Sequence, residues 1–194
     1  MSAARTNGRP ESLARRRILD TATALFSLGG VRAVGIDRII AEAGVAKATF
    51  YHHFAAKDDL VRAYIEELSK GGRAAIASLG RRPARQMILA IFDLIADAAD
   101  QPGYRGCPFQ NAAAEYPDPS SSVRQAIDKH RHWKWGILKD LLITDANPDP
   151  DRTADALTVA ADGLLVVSHL DRPANLRTLI RDTVDRVLGA PRPV

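Results

Sequence analysis

The sequence predicts an all-α protein with a small N-terminal helical domain and a larger helical body. Three observations support this. Apolar residues recur at spacings of three and four almost throughout, the period of a helix with one buried face. No stretch alternates apolar and polar residues as a half-buried strand does. Glycine and proline gather between the periodic stretches and punctuate them. With 194 residues, 46% hydrophobic and 26% charged, the chain has the composition of a globular protein rather than a disordered one.

The elements follow in order. Residues 12 to 28 carry Leu13, Ile18, Ala22, Leu25 and Phe26 at helical spacing, and Gly29-Gly30 stops them. A short helix from Ile36 to Ala43 ends at Gly44, and a second runs from Ala46 to Phe54. Lys57-Asp58-Asp59-Leu60 opens a longer helix, its acidic residues in the first turn complementing the helix dipole. The pattern takes it to about Leu68, and Gly71-Gly72 is expected to end or bend it. Pro83 to Ala99 carries Met87, Ile88, Ile91, Phe92 and Ile95, and residues 101 to 108 form a Gly/Pro-rich loop. A short helix from Phe109 to Tyr116 is broken by Pro117-Asp118-Pro119. Ser121 to Leu142 follows, with Ala126, His130, Trp133, Ile137 and Leu141 expected on its buried face. After the loop from Asp145 to Pro150 come helices at about 151–170 and 174–188.

Charge divides the chain. The net charge is +4, and residues 1–62 hold all of the excess, with ten Lys or Arg against six Asp or Glu. A basic head on a neutral body suits binding to a polyanion. Several classes lose support. A single cysteine, Cys107, forms no intramolecular disulfide. No apolar run approaches the ~20 residues of a membrane span, and the polar N-terminus reads as no secretory signal. The expectation is a cytoplasmic chain without membrane partner. No phosphate-binding glycine loop, nucleophile elbow or zinc-hydrolase motif appears, so no catalytic residue, metal site or cofactor is expected. The acidic run Asp145–Asp151 has Pro150 and Ala156 where a calcium loop needs Gly and Glu. His130 and His132 stand two apart on a helix and point away from each other.

The informative stretch is Val34 to Lys57, VGIDRIIAEAGVAKATFYHHFAAK. It holds two helices of about two turns joined at Gly44, whose lack of Cβ suits a left-handed turn. Ile39, Val45, Phe50 and Phe54 are placed to pack inward, leaving Lys47, Ala48, Thr49, Tyr51 and His52 outward on the second helix. A helix–turn–helix has this arrangement, with one helix bracing another that presents polar side chains to the major groove.

The segment from Gly44 to Phe54, followed by Lys57-Asp58-Asp59-Leu60 and preceded by Ala24-Leu25-Phe26, resembles the DNA-binding signature of TetR (tetracycline-repressor-like) regulators. The resemblance covers about residues 14 to 64. It implies a homodimer whose subunits each join a three-helix DNA-binding domain, here residues 1–62 with a mobile tail at 1–11, to a ligand-binding and dimerisation domain, here 63–194. Such regulators are usually repressors that leave a palindromic double-stranded DNA operator when a small-molecule effector binds. Carried over by position, Arg38, Lys47, Ala48, Thr49, Tyr51, His52 and Lys57 contact DNA, Tyr51 and Lys57 through phosphates. Arg5, Arg9 and Arg15 to Arg17 are further candidates for phosphate or minor-groove contacts. Gly35 and Ala46 depart from the family, which often has hydroxyl residues there, and Ala48 replaces the usual Gly.

Within the body, Phe92, Tyr104, Phe109, Asn111, Glu115, Tyr116, His130 and Trp133 are candidates to line an effector pocket, each aromatic having ordinary core packing as its alternative. The run from Gly106 to Glu115 resembles a Gly-Cys…Asn…Glu segment in a branch of the same family, some members of which sense electrophiles through a cysteine near this position. Cys107 is therefore a candidate redox site, with a buried small hydrophobe as the alternative. The last two helices are expected to form the dimer contact or to close the monomer's own core: Ala160, Ala161 and Leu164 on one, Leu176, Leu179, Ile180, Val184, Val187 and Leu188 on the other. A helical binding bundle with no DNA-binding function is the reading that competes with a regulator, and it leaves the basic head without a role.

Overall fold

A computed structural model describes residues 12–189; the tail with Arg5 and Arg9 lies outside them. Among the described residues the regular structure is entirely helical, and the chain divides between Tyr64 and Ile65 into two compact units.

The first unit contains α1 (Leu13–Gly29), α2 (Ile36–Ala43), α3 (Lys47–His53) and the start of α4 (Lys57–Ser78). Its core brings Ile18, Ala22 and Phe26 of α1 together with Ile39, Phe50, Phe54, Leu60 and Tyr64, all essentially buried. The Phe26 and Tyr64 rings meet edge to face with centroids 5.4 Å apart, a geometry that aromatic quadrupoles favour. Leu13, expected on the inner face, is 84% exposed, because it stands in the first turn, one residue after the N-cap Ser12.

The turn between α2 and α3 is held from α1. Gly44 adopts φ 60°, and the Arg17 guanidinium donates to the Ala43 carbonyl at 2.6 Å and the Gly44 carbonyl at 3.4 Å. A cation thereby satisfies carbonyls at a helix C-terminus that have no intrahelical partner. Arg17's neighbours are also committed. Arg15 lies over the Phe54 ring at 5.1 Å, and Arg16 pairs with Asp20 at 2.7 Å. All three consecutive arginines thus have a partner within this unit.

The second unit comprises the rest of α4, α5 (Ala84–Ala99), α6 (Pro108–Glu115), α7 (Ser122–Thr144), α8 (Pro150–Leu170) and α9 (Leu176–Leu188). Ile88, Phe92, Leu138, Leu142, Leu157, Ile180 and Val184 form its core. Two expectations change, and a third, left open between two readings, is narrowed. First, α4 continues ten residues past Leu68, straight through Gly71 and Gly72. Each glycine costs a helix about 1 kcal/mol relative to Ala, less than tertiary contacts supply on either side. Second, the buried stripe of α7 runs through Val123, Ile127, His130, Leu138 and Leu142, so Leu138 and Leu142 take the deep positions expected of Ile137 and Leu141. Third, α9 turns its apolar stripe inward. Ile180 and Val184 are fully buried, and the outer side carries Arg177, Arg181 and Asp185, which pair with Asp97, Asp93 and Arg85 of α5.

The acidic loop before α8 acts as a cap. Asp149 accepts from the Arg152 amide at 3.2 Å, and Asn147 Oδ1 accepts from the Asp149 amide and the Thr153 hydroxyl. By length and composition alone α8, with mean hydropathy 1.2, is long and apolar enough to cross a membrane. Its Ala154, Leu157, Ala161 and Leu164 pack instead into the core of this unit.

Two substitutions test the head. Gly44→Ala places a Cβ 2.9 Å from Arg17 Nη2 in a left-handed conformation and is expected to cost about 1–2 kcal/mol. Ala46→Ser supplies the side-chain cap that α3 lacks and is expected to stabilise by about 1 kcal/mol. Urea unfolding of the full chain reads both, and unchanged midpoints would contradict this account of the turn.

Candidate functional site

The first site is the outer face of α3. Phe50 anchors the helix from inside, with no exposed surface. Lys47, Ala48, Tyr51 and His52 are exposed around it, and Thr49 is half-buried. Tyr51 packs its ring edge against Phe50, centroids 5.4 Å apart, and stays 43% exposed, so its position is defined while its hydroxyl remains available. Ala46 offers no side-chain cap, leaving the first-turn amides of α3 as donors for an outside acceptor. Lys47 lies 3.7 Å from Asp37 in an exposed pair too open to hold it strongly. Arg38 pairs with Glu42 along α2 at 2.8 Å. Lys57 donates to the Arg32 carbonyl at 3.0 Å, which fixes the start of α4 beside the loop between α1 and α2.

The second site is a cavity of about 220 Å³ inside the second unit. Leu68, Gly72 and Ile76 of α4 form one wall and Ile91, Leu94, Ile95 and Ala98 of α5 another. Tyr104, Gly106, Cys107 and Phe109 come from the loop and α6, and His130, Arg131, Trp133 and Lys134 from α7. Thr158, Asp162 and Leu165 of α8 complete it. The lining is mostly apolar with a few convergent polar groups, as small-molecule sites are. Phe109 stacks on the His130 ring at 3.8 Å and 3° between planes. His130 Nδ1 lies 3.0 Å from Ser69 Oγ, and Arg73 sits 4.1 Å over the Trp133 ring. The Tyr104 hydroxyl meets Ser168 Oγ at 2.7 Å, and burial raises its pKa. The other clefts described, such as one of about 520 Å³ beside Arg172 and Arg177, are more polar.

Comparison with known proteins decides what this arrangement belongs to. The family described as "Bacterial regulatory proteins, tetR family" matches residues 18–64, the unit that carries α2 and α3. The crystal structure of SCO4454, a TetR-family transcriptional regulator from Streptomyces coelicolor, is 38% identical, covers 90% of this chain and 94% of that one, and superposes with a TM-score of 0.84. The chain belongs to the TetR family of transcriptional regulators. It is a DNA-binding regulator and, like these relatives, not an enzyme. The transcriptional activator FasR of Mycolicibacterium smegmatis is 27% identical over 95% of this chain and 86% of its own. The transcriptional repressor NemR of Escherichia coli is 28% identical over 70% of each chain.

The TetR-family fold brings some of the expected site residues together and separates others. Tyr104, Cys107, Phe109, His130 and Trp133 all line the cavity. Phe92 does not; it is 2% exposed and belongs to the core among Ile88, Leu138 and Leu157. Asn111 is exposed and donates to the Arg105 carbonyl at 2.9 Å, because the α6 face that carries it turns away from the cavity. Glu115 and Tyr116, at the far end of α6, are also outside the lining. The α4 wall escaped sequence reading because the glycine pair suggested that the helix stopped short of it. Arg131, Lys134 and Asp162 escaped because charged residues at helical spacing look like a solvated face. Among the described residues no group of three or more His, Cys, Asp or Glu side chains is placed to hold a metal ion.

His130 is kept neutral. Burial first, then the nearby Lys134, Arg73 and Arg131, lower its pKa from 6.5 to about 4. Between pH 6.5 and 4 the unfolded chain therefore takes up a proton that the folded chain refuses, so stability falls as pH falls through that window. His130→Asn is expected to be less stable than wild type at pH 7 by a margin that shrinks at pH 5. Urea unfolding at the two values checks it, and a constant margin would count against a neutral buried imidazole.

Proposed function

We propose that the protein acts in the cytoplasm as a dimeric, effector-responsive repressor, with α3 reading the major groove of a palindromic operator. The observation that carries this reading is the α3 face itself. Its outward residues surround a fully buried Phe50, on a helix whose entry turn is locked by Arg17. Lys47, Ala48, Thr49, Tyr51 and His52 face the bases and adjoining phosphates, while Arg38 and Lys57 supply flanking positive charge. The groove is ~12 Å wide, and the small Ala48 lets the backbone approach. The N-terminal residues 1–62 form the DNA-binding domain in this reading, and 63–194 the ligand-binding and dimerisation domain. Named relatives include an activator and a repressor; a repressor is proposed because an operator bound without effector requires nothing beyond this face and a dimer.

The dimer is assigned to α8, flanked by α9. Along one side of α8, Ala156, Val159, Gly163, Val166 and Leu170 are exposed at spacings of three and four. Val159 is 72% and Leu170 70% exposed. Small and apolar residues on one stripe suit a symmetric helix pair around a two-fold axis. Of the two readings of the Ala160, Ala161 and Leu164 face, dimer contact or core, burial favours the core for two of its residues. Ala161 and Leu164 are buried in the monomer's own core, so the outward face lies next to them on the same helix.

The cavity takes the effector, lined by Tyr104, Phe109, His130 and Trp133. A second reading has one observation in its favour. Cys107 lines the same cavity and lies at the N-cap of α6, with Lys134 and Arg131 in the same lining, which suits a thiol that senses reactive ligands. If that reading holds, thiol reagents are expected to release DNA from the wild type and not from Cys107→Ser; if Cys107 only packs, they release it from neither.

Gel shifts on the promoter DNA flanking the protein's own gene, at two salt concentrations with competitor, test the DNA reading. Lys57→Ala is expected to weaken binding to all sequences and to lower the slope of log K against log salt by about one. Tyr51→Ala is expected to weaken binding with little change in that slope, since it carries no charge. Unchanged affinity in both variants would sink the α3 assignment. Val159→Lys is expected to convert the dimer to monomer in light scattering; a dimer that persists would move the interface elsewhere.

A further inference from the structure

Charge inside the cavity is unbalanced in one direction. Three side chains that line it carry formal charge: Arg131, Lys134 and Asp162. Asp162 is committed to Arg131, accepting from Nη1 at 3.1 Å and Nη2 at 2.7 Å in a two-pronged pair. That pair cancels and leaves Lys134. Among the described residues, no carboxylate lies within ion-pair distance of its ammonium group. Just behind the Trp133 ring sits Arg73, which likewise has no carboxylate partner among the described residues. His130 is neutral and contributes no charge at pH 7.

Lys134 is half-buried, and burial lowers its pKa. A cation drawn out of water needs an opposite charge or a polar partner to remain favourable. Surface lysines avoid the problem by reaching solvent, but Lys134 faces a space walled by Ile91, Ile95 and Leu165. The lining therefore combines an apolar bed, an aromatic stack at Phe109 and His130, and one ammonium group with no carboxylate at ion-pair distance among the described residues, Asp162 and Cys107 acting on it only from farther away.

We infer that the effector is a small amphiphilic anion, with its carboxylate or comparable monoanionic group against Lys134 and its apolar body along α4 and α5. This rests on the cavity being the effector site and names the chemical class it selects. A volume of about 220 Å³ limits the body to a compact ring or a short chain. Selection against neutral analogues follows, because an amide carbonyl offers the Lys134 charge a dipole where a carboxylate offers a full opposite charge.

The test uses matched pairs. Benzoate, cinnamate and octanoate are titrated beside benzamide, cinnamamide and octanamide at pH 7, and tryptophan emission reports the cavity through Trp133. At least one acid is expected to bind ten or more times tighter than its amide. Lys134→Met should abolish the preference, bringing acid and amide to comparable affinity. Lys134→Arg should keep the preference, and so should Cys107→Ser, since neither removes the charge. Far-ultraviolet circular dichroism establishes that each variant is folded. Equal binding of acid and amide in the wild type, or a preference that survives Lys134→Met, would overturn the inference while leaving the cavity as effector site. No response to any acid or amide would overturn both.

Discussion

Arg17 closes the C-terminal end of α2 by donating to the Ala43 and Gly44 carbonyls, and the placement of α3 depends on that contact. Helices as short as α2 and α3 are not stable alone, because forming the first turn of a helix is unfavourable and few turns follow to compensate. Their geometry has to come from tertiary contacts. Phe50 and Ile39 supply the apolar part, and Arg17 supplies the polar part by removing two unsatisfied carbonyls at the point where the chain reverses. Gly44 makes both possible. Its left-handed conformation turns the chain, and its missing side chain leaves room for the guanidinium. The residues that face DNA in the proposed complex can then be short and polar, since none of them has to hold the helix in place.

This division of labour explains what was legible in the sequence. The head was readable in detail because its signals are local: Gly44, the Ile39–Phe50–Phe54 spacing and the acidic first turn of α4 each act within a few residues. What the three arginines before Ile18 do was not readable, because their partners are distant in sequence. Arg17 reaches the α2–α3 turn and Arg15 the Phe54 ring, while Arg16 stays on its own helix. The contacts that these side chains make within the unit are ones that only the fold reveals.

In the body, periodicity located the helices but not which side of each turns inward. α7 and α8 are both apolar on more than one side, and the choice is made by partners that periodicity cannot show. Asp155 accepts from Trp135 Nε1 at 2.8 Å and Asp162 from Arg131, so two acidic residues fix the rotation of α8 against α7. Once that rotation is fixed, Leu157, Ala161 and Leu164 point into the core and Val159, Val166 and Leu170 point away from it. α9 is settled in the same manner by its arginines, which meet the aspartates of α5 and commit its apolar stripe to the monomer.

The glycine pair in α4 shows why propensity misled at the cavity. Two adjacent glycines cost the helix about 2 kcal/mol relative to alanines, enough to end an isolated one. Here the helix is flanked by side chains that bind it to α7, with Ser69 on His130 and Arg73 over Trp133. The two glycines are not equivalent. A Cβ on Gly71 would meet nothing within 4 Å, whereas one on Gly72 would stand 3.8 Å from His130 Cε1, against the cavity. Gly72 leaves its part of the α4 wall as bare backbone, and the space a side chain would take stays within the cavity. The position that looked like a helix end is a place where the helix forgoes stability and keeps volume beside the Phe109–His130 stack.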